Sequence, residues 1–422
     1  MNDSNSKTEY QAELLSNRLK KRYKELRKWA RKNRISCYRL YDRDIPEVPV
    51  SLDLYEFLPG EIDSPIEAAR FLSDQNARIA ANDPAVESSI KERTFAVLYL
   101  YERPYEKAEE EEQEWLDAMA GAAANVLGIK KEHIVVKTRG HKSHKATGTN
   151  VQYQKNESTK GPFDELRASD DAETLQGSLP FDRLRNRGSK GARQSISGTT
   201  LEQGQLFKLD LTSYLDTGLF FDHRPLRSAI RDTCSKKRVL NLFCYTGSFS
   251  VYAAQGNAKF VESVDLSNTY LDWSKENMKL NGFIDNNKYI FTRADCMRFL
   301  QEKAVAAKSG KLTQEELYDI IILDPPTFSN SKKTTDVLDI NNDWPQLVKD
   351  CLNILATAGT LYFSTNSERL KFDVGKLPPK TAAGLSFTCT DITDKTIPND
   401  FSGKKPHKVW QFKIVQDTKE LY

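Results

Sequence analysis

The feature that most constrains the fold is a regular alternation of apolar and amphipathic segments from residue 237 to the C-terminus. Short β-branched runs predict strands, whereas apolar residues three and four apart predict helices. This rhythm indicates an α/β domain with a doubly wound, Rossmann-like sheet of seven mostly parallel strands and helices on both faces. The predicted strands are residues 238–243, 260–265, 288–292, 318–323, 358–364, 385–391 and 408–415, and the predicted helices are residues 248–255, 267–281, 295–307 and 342–356.

The rest of the chain divides by composition, because 422 residues are too many for a single core. Residues 1–36 predict a basic helix, residues 37–139 a small α+β domain that we expect to bind RNA, and residues 205–422 the α/β domain. Residues 140–204 are rich in Gly, Ser, Asn, Thr and charge, which predicts a flexible insertion or linker. Before residue 215 we expect helices at 7–34 and 109–127 and strands at 48–58, 93–101, 133–137 and 206–214.

The composition argues against several classes of protein. Charged residues make up 29% of the chain and the mean hydropathy is −0.61. The apolar runs are of strand length, far short of the ~20 residues of a membrane span, and the first residues lack an apolar signal core. We therefore expect a cytoplasmic protein without membrane contact. The six cysteines form no CxxC pair and no ligand cluster with the five histidines, so neither disulfides nor a metal site is expected.

Positive charge is concentrated near the N-terminus. Residues 1–35 contain eleven Lys and Arg residues against four acidic residues, although the whole chain carries a net charge of only +3. The apolar residues of this segment recur at helical spacing, so the rest of the helix surface is mostly basic. Such a surface is typical of contact with nucleic-acid phosphates, although a solvated helix face has the same pattern. The expected RNA contacts are Arg18, Lys21, Arg22, Lys28, Arg31 and Lys32.

Four predicted strands of the α/β domain end on residues that suit a nucleoside cofactor. Gly247 closes the segment NLFCYTG, Asp265 and Asp295 follow the next two strands, and Asp324 opens the segment DPPTF. Ligands of open α/β sheets bind beyond the carboxyl ends of the strands, where an acid after the second strand holds ribose hydroxyls. Asp265 and Asp295 could equally cap the helices that follow them.

The turn at Gly247 has a single glycine, which we expect to let a ligand approach the backbone closely. The GxGxxG loop that cradles a pyrophosphate is missing, which favours a cofactor without phosphates over a dinucleotide. In DPPTF the consecutive prolines fix an extended turn and remove two N–H donors. Asp324 is then held facing the cleft, with Phe328 available to stack on a base.

At these positions the sequence resembles a known family. The segments NLFCYTG, SVDLSNTYLDW, LNG, ADC and LDPPTFSNSK are similar to the methyltransferase module of bacterial 23S rRNA guanine methyltransferases. More narrowly, the chain resembles the C-terminal half of the bifunctional ribosomal RNA large subunit methyltransferase K/L, the half that makes 7-methylguanosine. The resemblance extends over nearly the whole chain except residues near 156–200, and it includes the segments DTGLFFDHRPLR and TDKTIPNDF.

This resemblance implies S-adenosyl-L-methionine as the cofactor and 23S rRNA, or the assembling large ribosomal subunit, as the substrate. The THUMP-bearing half that makes N2-methylguanosine has no counterpart in this sequence, which leaves room for a separate N2-guanine methyltransferase as a partner. The implied catalytic residues, which face the target guanine, are Asp324, Pro325, Pro326 and Phe328, and Thr327 would contact the RNA. The implied cofactor contacts are Asp222, Arg224, Asn241, Phe243, Thr246, Gly247, Asp265, Leu266, Tyr270, Asp295 and Cys296.

The chemistry separates the competing activities in part. N7 of guanine carries an in-plane lone pair and no proton, so its methylation needs no general base, only alignment with the methyl group. Methylation of cytosine C5 needs a cysteine nucleophile, and neither DPPTF nor the following YFSTNS contains one. Guanine N2 stays open, because D/N-P-P motifs also serve exocyclic amines. A catalytically silent RNA-binding ribosome-assembly factor is the alternative from another class, and the missing diphosphate loop disfavours a dehydrogenase.

Overall fold

The structure, a computed structural model, describes residues 2–101, 108–139, 195–329 and 337–415. The chain forms two compact units, Met1–Phe221 and Asp222–Tyr422. The boundary between these units therefore falls later than the predicted division between residues 204 and 205. Most of the predicted insertion lies outside the described residues, but its end is a β-strand, Ser197–Glu202. The Ser, Gly and Thr residues that dominate this strand explain why its composition suggested a linker.

The first unit contains a four-stranded sheet in the order β1-β2-β3-β4, with β3 and β4 parallel and the other neighbours antiparallel. A separate hairpin, β5-β6, follows. The elements of this unit are α1 (Asn2–Lys32), β1 (Cys37–Asp42), β2 (Val50–Glu56), α2 (Pro65–Ala80), α3 (Pro84–Glu92), β3 (Thr94–Tyr101), α4 (Glu109–Leu127), β4 (Ile134–Arg139), β5 (Ser197–Glu202) and β6 (Gln205–Asp210).

Helix α1 was predicted to stand apart from the α+β domain, but it belongs to the core of this unit. Its stripe of Leu15, Leu19, Leu26 and Ala30 is buried in the same apolar cluster as the inner face of the sheet and Trp115 of α4. Each buried leucine contributes about 1.5–3 kcal/mol. Burial of this stripe fixes the opposite, basic surface of α1 toward solvent. None of the helices in the described part of the chain combines the length and apolar character of a membrane span.

The second unit contains the predicted α/β sheet. Its helices are α5 (Arg224–Thr233), α6 (Ser248–Gln255), α7 (Asn268–Leu280), α8 (Cys296–Lys308), α9 (Ile340–Asn353) and α10 (Thr393–Thr396). Its strands are β7 (Arg238–Leu242), β8 (Phe260–Asp265), β9 (Tyr289–Arg293), β10 (Tyr318–Leu323), β11 (Phe328–Ser329), β12 (Leu338–Asp339), β13 (Leu355–Thr365), β14 (Phe387–Asp391) and β15 (Lys408–Ile414). The predicted helices and strands from residue 238 onward all occur, with ends shifted by a few residues.

Seven of these strands form one sheet in the order β14-β15-β13-β10-β7-β8-β9. The strands from β13 to β9 run parallel, and β15 runs antiparallel between β13 and β14. The doubly wound fold class is thus confirmed. The order reverses between β7 and β10, so the carboxyl ends of these two strands flank the topological switch point at which ligands of such sheets bind.

Candidate active site at the carboxyl ends of the strands

The loop after β7 is held in an unusual backbone conformation. Phe243 and Tyr245 have left-handed φ angles of 53° and 50°, and Gly247 follows at 75°. Left-handed residues other than glycine cost about 1–3 kcal/mol each and persist where their surroundings hold them. Here the amide of Phe243 donates to Cys296 Sγ at 3.3 Å, and that of Tyr245 donates to Asp265 Oδ2 at 3.0 Å. The loop is therefore fixed by the two neighbouring strand ends.

The requirement for glycine at position 247 comes from the protein itself. A Cβ atom there would lie 1.9 Å from Ser274 Oγ of α7, and the φ angle of 75° independently disfavours other residues. We expected this glycine to admit a ligand close to the backbone. The structure instead explains it by the close packing of the loop against α7.

Asp265, at the end of β8, has the geometry of a ribose-binding acid. Its Oδ1 accepts from Ser267 N at 2.9 Å and its Oδ2 from Tyr245 N at 3.0 Å, so the carboxylate is held in one orientation. Each oxygen keeps a further lone pair for a hydroxyl donor. Burial raises the pKa of Asp265 to about 6, with the backbone donors opposing the rise. The carboxylate is therefore ionised at neutral pH but poorly hydrated, which strengthens its attraction for new donors.

Two tyrosines lie beside this carboxylate. Tyr270, in the first turn of α7, packs edge-on against Tyr245 with ring centroids 4.7 Å apart. Tyr245 was not among the predicted residues, because a tyrosine within a strand-to-helix turn has no distinctive spacing. Together with Leu266, which is half-buried, the rings offer an apolar surface next to Asp265, as an adenosine requires.

The predicted adenine contact, Asp295, caps a helix. Its Oδ1 accepts from Arg298 N at 3.0 Å at the start of α8. The second carboxylate oxygen is left to accept from an adenine amino group. The neighbouring Cys296 thiol is buried and donates to Val264 O at 3.6 Å while accepting from Phe243 N. Its side chain supports the loop after β7 and is buried, so a contact between the thiol and a cofactor is not expected.

Two further cofactor predictions are corrected in the same way. The Arg224 side chain is 1% exposed and pairs at 2.8 Å with Asp400, whose side chain is 0% exposed. Asn241 is buried within the sheet and donates through Nδ2 to Ser250 Oγ at 2.9 Å. Both side chains hold the fold from within. Thr246 is also buried, and its carbonyl accepts from Asn277 Nδ2 at 2.9 Å.

The segment DPPTF follows β10 on the other side of the switch point. The Asp324 side chain is 27% exposed, Pro325 is buried, Pro326 is half-buried, and Phe328 is 42% exposed. Phe328 pairs with Asp339 in the short β11-β12 ladder, which fixes the end of the segment. A carboxylate and an aromatic ring thus face outward from a rigid turn.

An amide stands beside this segment at the end of β13. The hydroxyl of Thr327 donates to Oδ1 of Asn366, which is exposed. Because Oδ1 accepts that bond, the Asn366 Nδ2 donors are directed elsewhere. Asn366 was not among the predicted residues, since its place at a strand end next to DPPTF depends on the β10-β13 pairing.

Two histidines that were not predicted lie behind Asp324. The rings of His223 and His407 stack at a centroid distance of 4.2 Å and an angle of 13°. His407 Nδ1 lies 2.9 Å from Asp222 Oδ2, and its Nε2 lies 2.9 Å from Thr396 Oγ1. His223 Nε2 lies 3.5 Å from Asp324 Oδ2 and 3.4 Å from Ser364 Oγ. Asp222, one of the predicted cofactor contacts, is thus part of a buried polar network.

His407 has a partner at each ring nitrogen. Its Nε2 lies 2.9 Å from the Thr396 hydroxyl, which donates its hydrogen to Thr393 O at 2.7 Å. Its Nδ1 lies 2.9 Å from Asp222 Oδ2. Burial tends to raise the pKa of Asp222, but His223 and His407 hold it well below its usual range. Asp222 and Thr396 thus hold the His407 ring at both of its nitrogens.

The imidazole of His223 is neutral, and its surroundings indicate which nitrogen carries the proton. Its Nδ1 is buried without a hydrogen-bond partner, and an N–H there would be an unpaired donor costing about 1–3 kcal/mol. The proton therefore resides on Nε2, which faces the Asp324 carboxylate. Burial lowers the pKa of His223, and His407 and Arg227 lower it further against the opposing Asp324 and Asp222.

The predicted RNA contacts on α1 divide into two sets. Arg18 pairs with Asp44 at 2.6 Å, Arg22 lies 3.5 Å from Glu25, and Arg31 is half-buried. The solvent-facing cations instead form an arc of lysines within about 18 Å of helix length, which we term the α1 lysine face: Lys20, Lys21, Lys24, Lys28 and Lys32.

Comparisons with known proteins identify the family of this chain. A family model described as S-adenosylmethionine-dependent methyltransferase matches residues 192–382. The chain is 34% identical over 402 residues to ribosomal RNA large subunit methyltransferase K of Neisseria meningitidis serogroup B, with 94% of this chain and 86% of that protein covered. The chain belongs to this family. Its resemblance to the family is thereby confirmed, and its cofactor is S-adenosylmethionine.

Longer relatives of the family include ribosomal RNA large subunit methyltransferase K/L of Magnetococcus marinus, which is 32% identical over 401 residues. That match covers 95% of this chain but 43% of the relative, so the chain spans less than half of the K/L proteins it matches. Among solved structures, a protein of Streptococcus mutans assigned as a SAM-dependent methyltransferase superposes with a TM-score of 0.57 at 18% identity, covering 95% of this chain and 81% of that one. This likeness confirms the fold.

The residues of the loop after β7 and of β8 fit the cofactor of the family. S-adenosylmethionine supplies an electrophilic methyl group on a sulfonium. Asp265 would offer acceptors to the ribose hydroxyls, Tyr245 and Tyr270 would offer an apolar surface to the adenine, and the second oxygen of Asp295 would accept from the adenine amino group. The strand ends on the β10 and β13 side, with Asp324 and Asn366, would then face the methyl acceptor.

Proposed function

We propose that this chain methylates N7 of a guanosine in large-subunit ribosomal RNA, by direct transfer from S-adenosylmethionine without a general base. The names of the relatives K and K/L support the RNA substrate, and 23S rRNA or the assembling large subunit is its source. The choice of N7 follows the resemblance to the half of K/L that makes 7-methylguanosine, and it is supported by the absence of a thiol nucleophile on the acceptor side, within the described residues. Asp324, Pro325, Pro326 and Phe328 frame that side.

The neutral imidazole nearest to Asp324 is not a base for the acceptor. Its Nε2 already carries the proton, and its Nδ1 lone pair is buried away from solvent. Methylation of guanine N2 releases a proton that some group must take up. Methylation of N7 releases none, and its positive charge passes from sulfur to the guanine ring. An Asp324 carboxylate beside the ring stabilises that charge.

The cysteines argue against cytosine C5 as the acceptor. All six lie in the described part of the chain, and none lies in DPPTF or at the end of β13. Burial and the nearby Asp265 raise the pKa values of Cys244 and Cys296 well above the usual range of a thiol. A buried, protonated thiol is a poor nucleophile. Cys244 and Cys296 thus have a structural role in the protein interior.

The residues on the acceptor side suggest how the guanine base is bound. With N7 in line with the methyl group, guanine O6 lies next to it and needs a donor. The Nδ2 atom of Asn366 supplies one, since Thr327 holds the Oδ1 atom. Adenine carries an amino donor at the corresponding position and would oppose the amide. The exposed ring of Phe328 stacks on the base.

The α1 lysine face supplies contacts to RNA phosphates in this proposal. Its five exposed ammonium groups lie opposite the buried stripe of the helix. Long, flexible lysines suit phosphates as point charges and carry no base specificity. Sequence selection is thus left to other parts of the chain and to the structure of the RNA.

The deciding experiment maps 7-methylguanosine in 23S rRNA by borohydride–aniline cleavage, in cells with and without the gene. Loss of one cleavage site in the deletion strain, and its return on complementation, is the expected result. An unchanged cleavage pattern refutes N7. Nucleoside analysis of the same RNA shows whether N2-methylguanosine or 5-methylcytosine is lost in its place. Calorimetry that detects no S-adenosylmethionine binding by the purified protein would favour a catalytically silent assembly factor.

A further inference from the structure

The stacked histidines form a buried polar feature that the proposed reaction has not used. They connect residues far apart in the chain, since His407 and Asp222 are separated by 185 positions. His223 is 7% exposed in its side chain and His407 is 0% exposed. Burying two imidazoles and a carboxylate is costly unless their hydrogen bonds are made. Such a network needs an explanation beyond core packing.

A metal ion does not explain it. Asp222, His223 and His407 bring possible ligand atoms within 4.8 Å of one another. Imidazole lone pairs point within the ring plane, and these two rings are parallel within 13° at 4.2 Å. Two such lone pairs do not converge on one ion at the usual bond length of about 2.0–2.1 Å. Both nitrogens of His407 are also occupied by protein partners, Asp222 and Thr396.

The network ends at a carboxylate that faces the acceptor side. From the interior outward it runs through His407 in contact with Asp222, the neutral His223 stacked on His407, and Asp324. Burial lowers the pKa of His223, and the stacked His407 lowers it further, which disfavours a second proton on that ring. His223 therefore presents a neutral N–H to the Asp324 carboxylate. Ser364 Oγ at 3.4 Å borders the same N–H.

We propose that His223 is a positioning residue for methyl transfer, with its Nε2–H orienting the Asp324 carboxylate toward the guanine ring. The proposal rests on the proposed function for the identity of the acceptor. The His223–Asp324 distance of 3.5 Å is longer than a formed hydrogen bond. Contacts of this kind shorten when the substrate completes the site.

The reaction shows why the position of this carboxylate matters. The N7 lone pair forms the new N–C bond, the C–S bond breaks with its electrons passing to sulfur, and no proton is released. Positive charge thus leaves the sulfur and spreads over the guanine ring. A carboxylate held beside the ring stabilises this charge without reorganising. Displacing this carboxylate by about 1 Å would lower the rate of methyl transfer about 100-fold.

The test compares two amide variants that differ in which imidazole nitrogen they replace. In His223→Gln the amide nitrogen reaches the position of Nε2, whereas in His223→Asn it reaches only that of Nδ1. The rate is measured as the total label transferred per unit time from radiolabelled S-adenosylmethionine to total RNA from a deletion strain. We expect His223→Asn to lower kcat about 10- to 100-fold, with KM for S-adenosylmethionine within about twofold. His223→Gln should recover most of kcat.

A double-mutant cycle with Asp324→Asn completes the test. If His223 acts through Asp324, His223→Asn causes little further loss in the Asp324→Asn background. Equal kcat values for the Gln and Asn variants would overturn the proposal, as would a loss that multiplies fully with that of Asp324→Asn. Calorimetric titration with S-adenosylmethionine identifies a variant that has merely failed to fold. If the Asn variant fails in this way, the kcat of the Gln variant decides the test.

The failure of the proposed function remains separate from the failure of this inference. The nucleoside labelled by the wild-type protein shows whether N7 is the acceptor, whereas the Gln–Asn contrast depends on total label only. A product other than 7-methylguanosine with the contrast intact would leave His223 as a positioning residue for a different acceptor. A product of 7-methylguanosine without the contrast would refute the role of His223 alone.

Discussion

The carboxylate of Asp265 makes the cofactor site testable by pH. Its two oxygens accept from Tyr245 N and Ser267 N, and burial raises its pKa to about 6. The anion predominates above this pH and the neutral acid below it. The anion accepts from two ribose hydroxyls as well as from the two amides. The protonated form places an O–H among these donors, so it should bind S-adenosylmethionine less well.

The magnitude follows from the titration. With a pKa of about 6, roughly ten elevenths of the free protein carries the Asp265 anion at pH 7, and roughly one eleventh at pH 5. Affinity should therefore fall about tenfold from pH 7 to pH 5. Asp265→Asn removes a charge-assisted hydrogen bond worth about 1.5–3 kcal/mol. It also turns an NH₂ group toward a backbone N–H, so affinity at pH 7 should fall about 10- to 100-fold.

Isothermal titration with S-adenosylmethionine at pH 5, 6, 7 and 8 measures both effects. At pH 6 the wild-type protein should also release a fraction of a proton on binding, which buffers of different ionisation enthalpy reveal. The matched control is Asp272→Asn in α7, where the acid is 40% exposed and pairs with Lys275. It should leave affinity and its pH dependence unchanged. Equal wild-type affinity at pH 5 and pH 7, or an Asp265→Asn variant that titrates like the wild type, refutes the assignment.

Three further perturbations follow from the structure. Changing the α1 lysine face to alanine should weaken RNA binding and reduce the slope of log affinity against log salt by about 3–5; filter binding at several salt concentrations checks this, with unchanged S-adenosylmethionine affinity as the control. Arg224→Met should destabilise the protein by about 3–5 kcal/mol in urea unfolding, because the buried Asp400 loses its Arg224 ion pair; a change below about 1 kcal/mol contradicts a strong buried pair. Gly247→Ala should destabilise through its clash with Ser274 Oγ and its φ of 75°, and adding Ser274→Gly should recover the steric part but leave about 1–2 kcal/mol from the backbone. Full recovery would show that the backbone angle contributes nothing, and no recovery would show that the clash contributes nothing.

Local sequence patterns determined most of the second unit. The periodicity of apolar residues is set by each segment's own burial, so the strands from β7 to β10 and β13 to β15 and the helices α6 to α9 could be recognised one at a time. The strand ends that carry Gly247, Asp265, Asp295 and DPPTF follow directly from those assignments. Helices α2, α3 and α5 were not recognised, since each buries few apolar side chains and so lacks a continuous stripe.

Only the tertiary structure decided how the site is built. The sequence placed Arg224 and Asn241 on the cofactor, whereas packing buries both within the unit. It also passed over His223 and His407, because isolated histidines have no periodic or spacing signal. Hydrogen-bond partners that are 185 positions apart, such as His407 and Asp222, meet only when β15 inserts antiparallel beside β13. Secondary structure is encoded over a few residues, but the charge and orientation of a buried side chain depend on neighbours supplied by the whole fold.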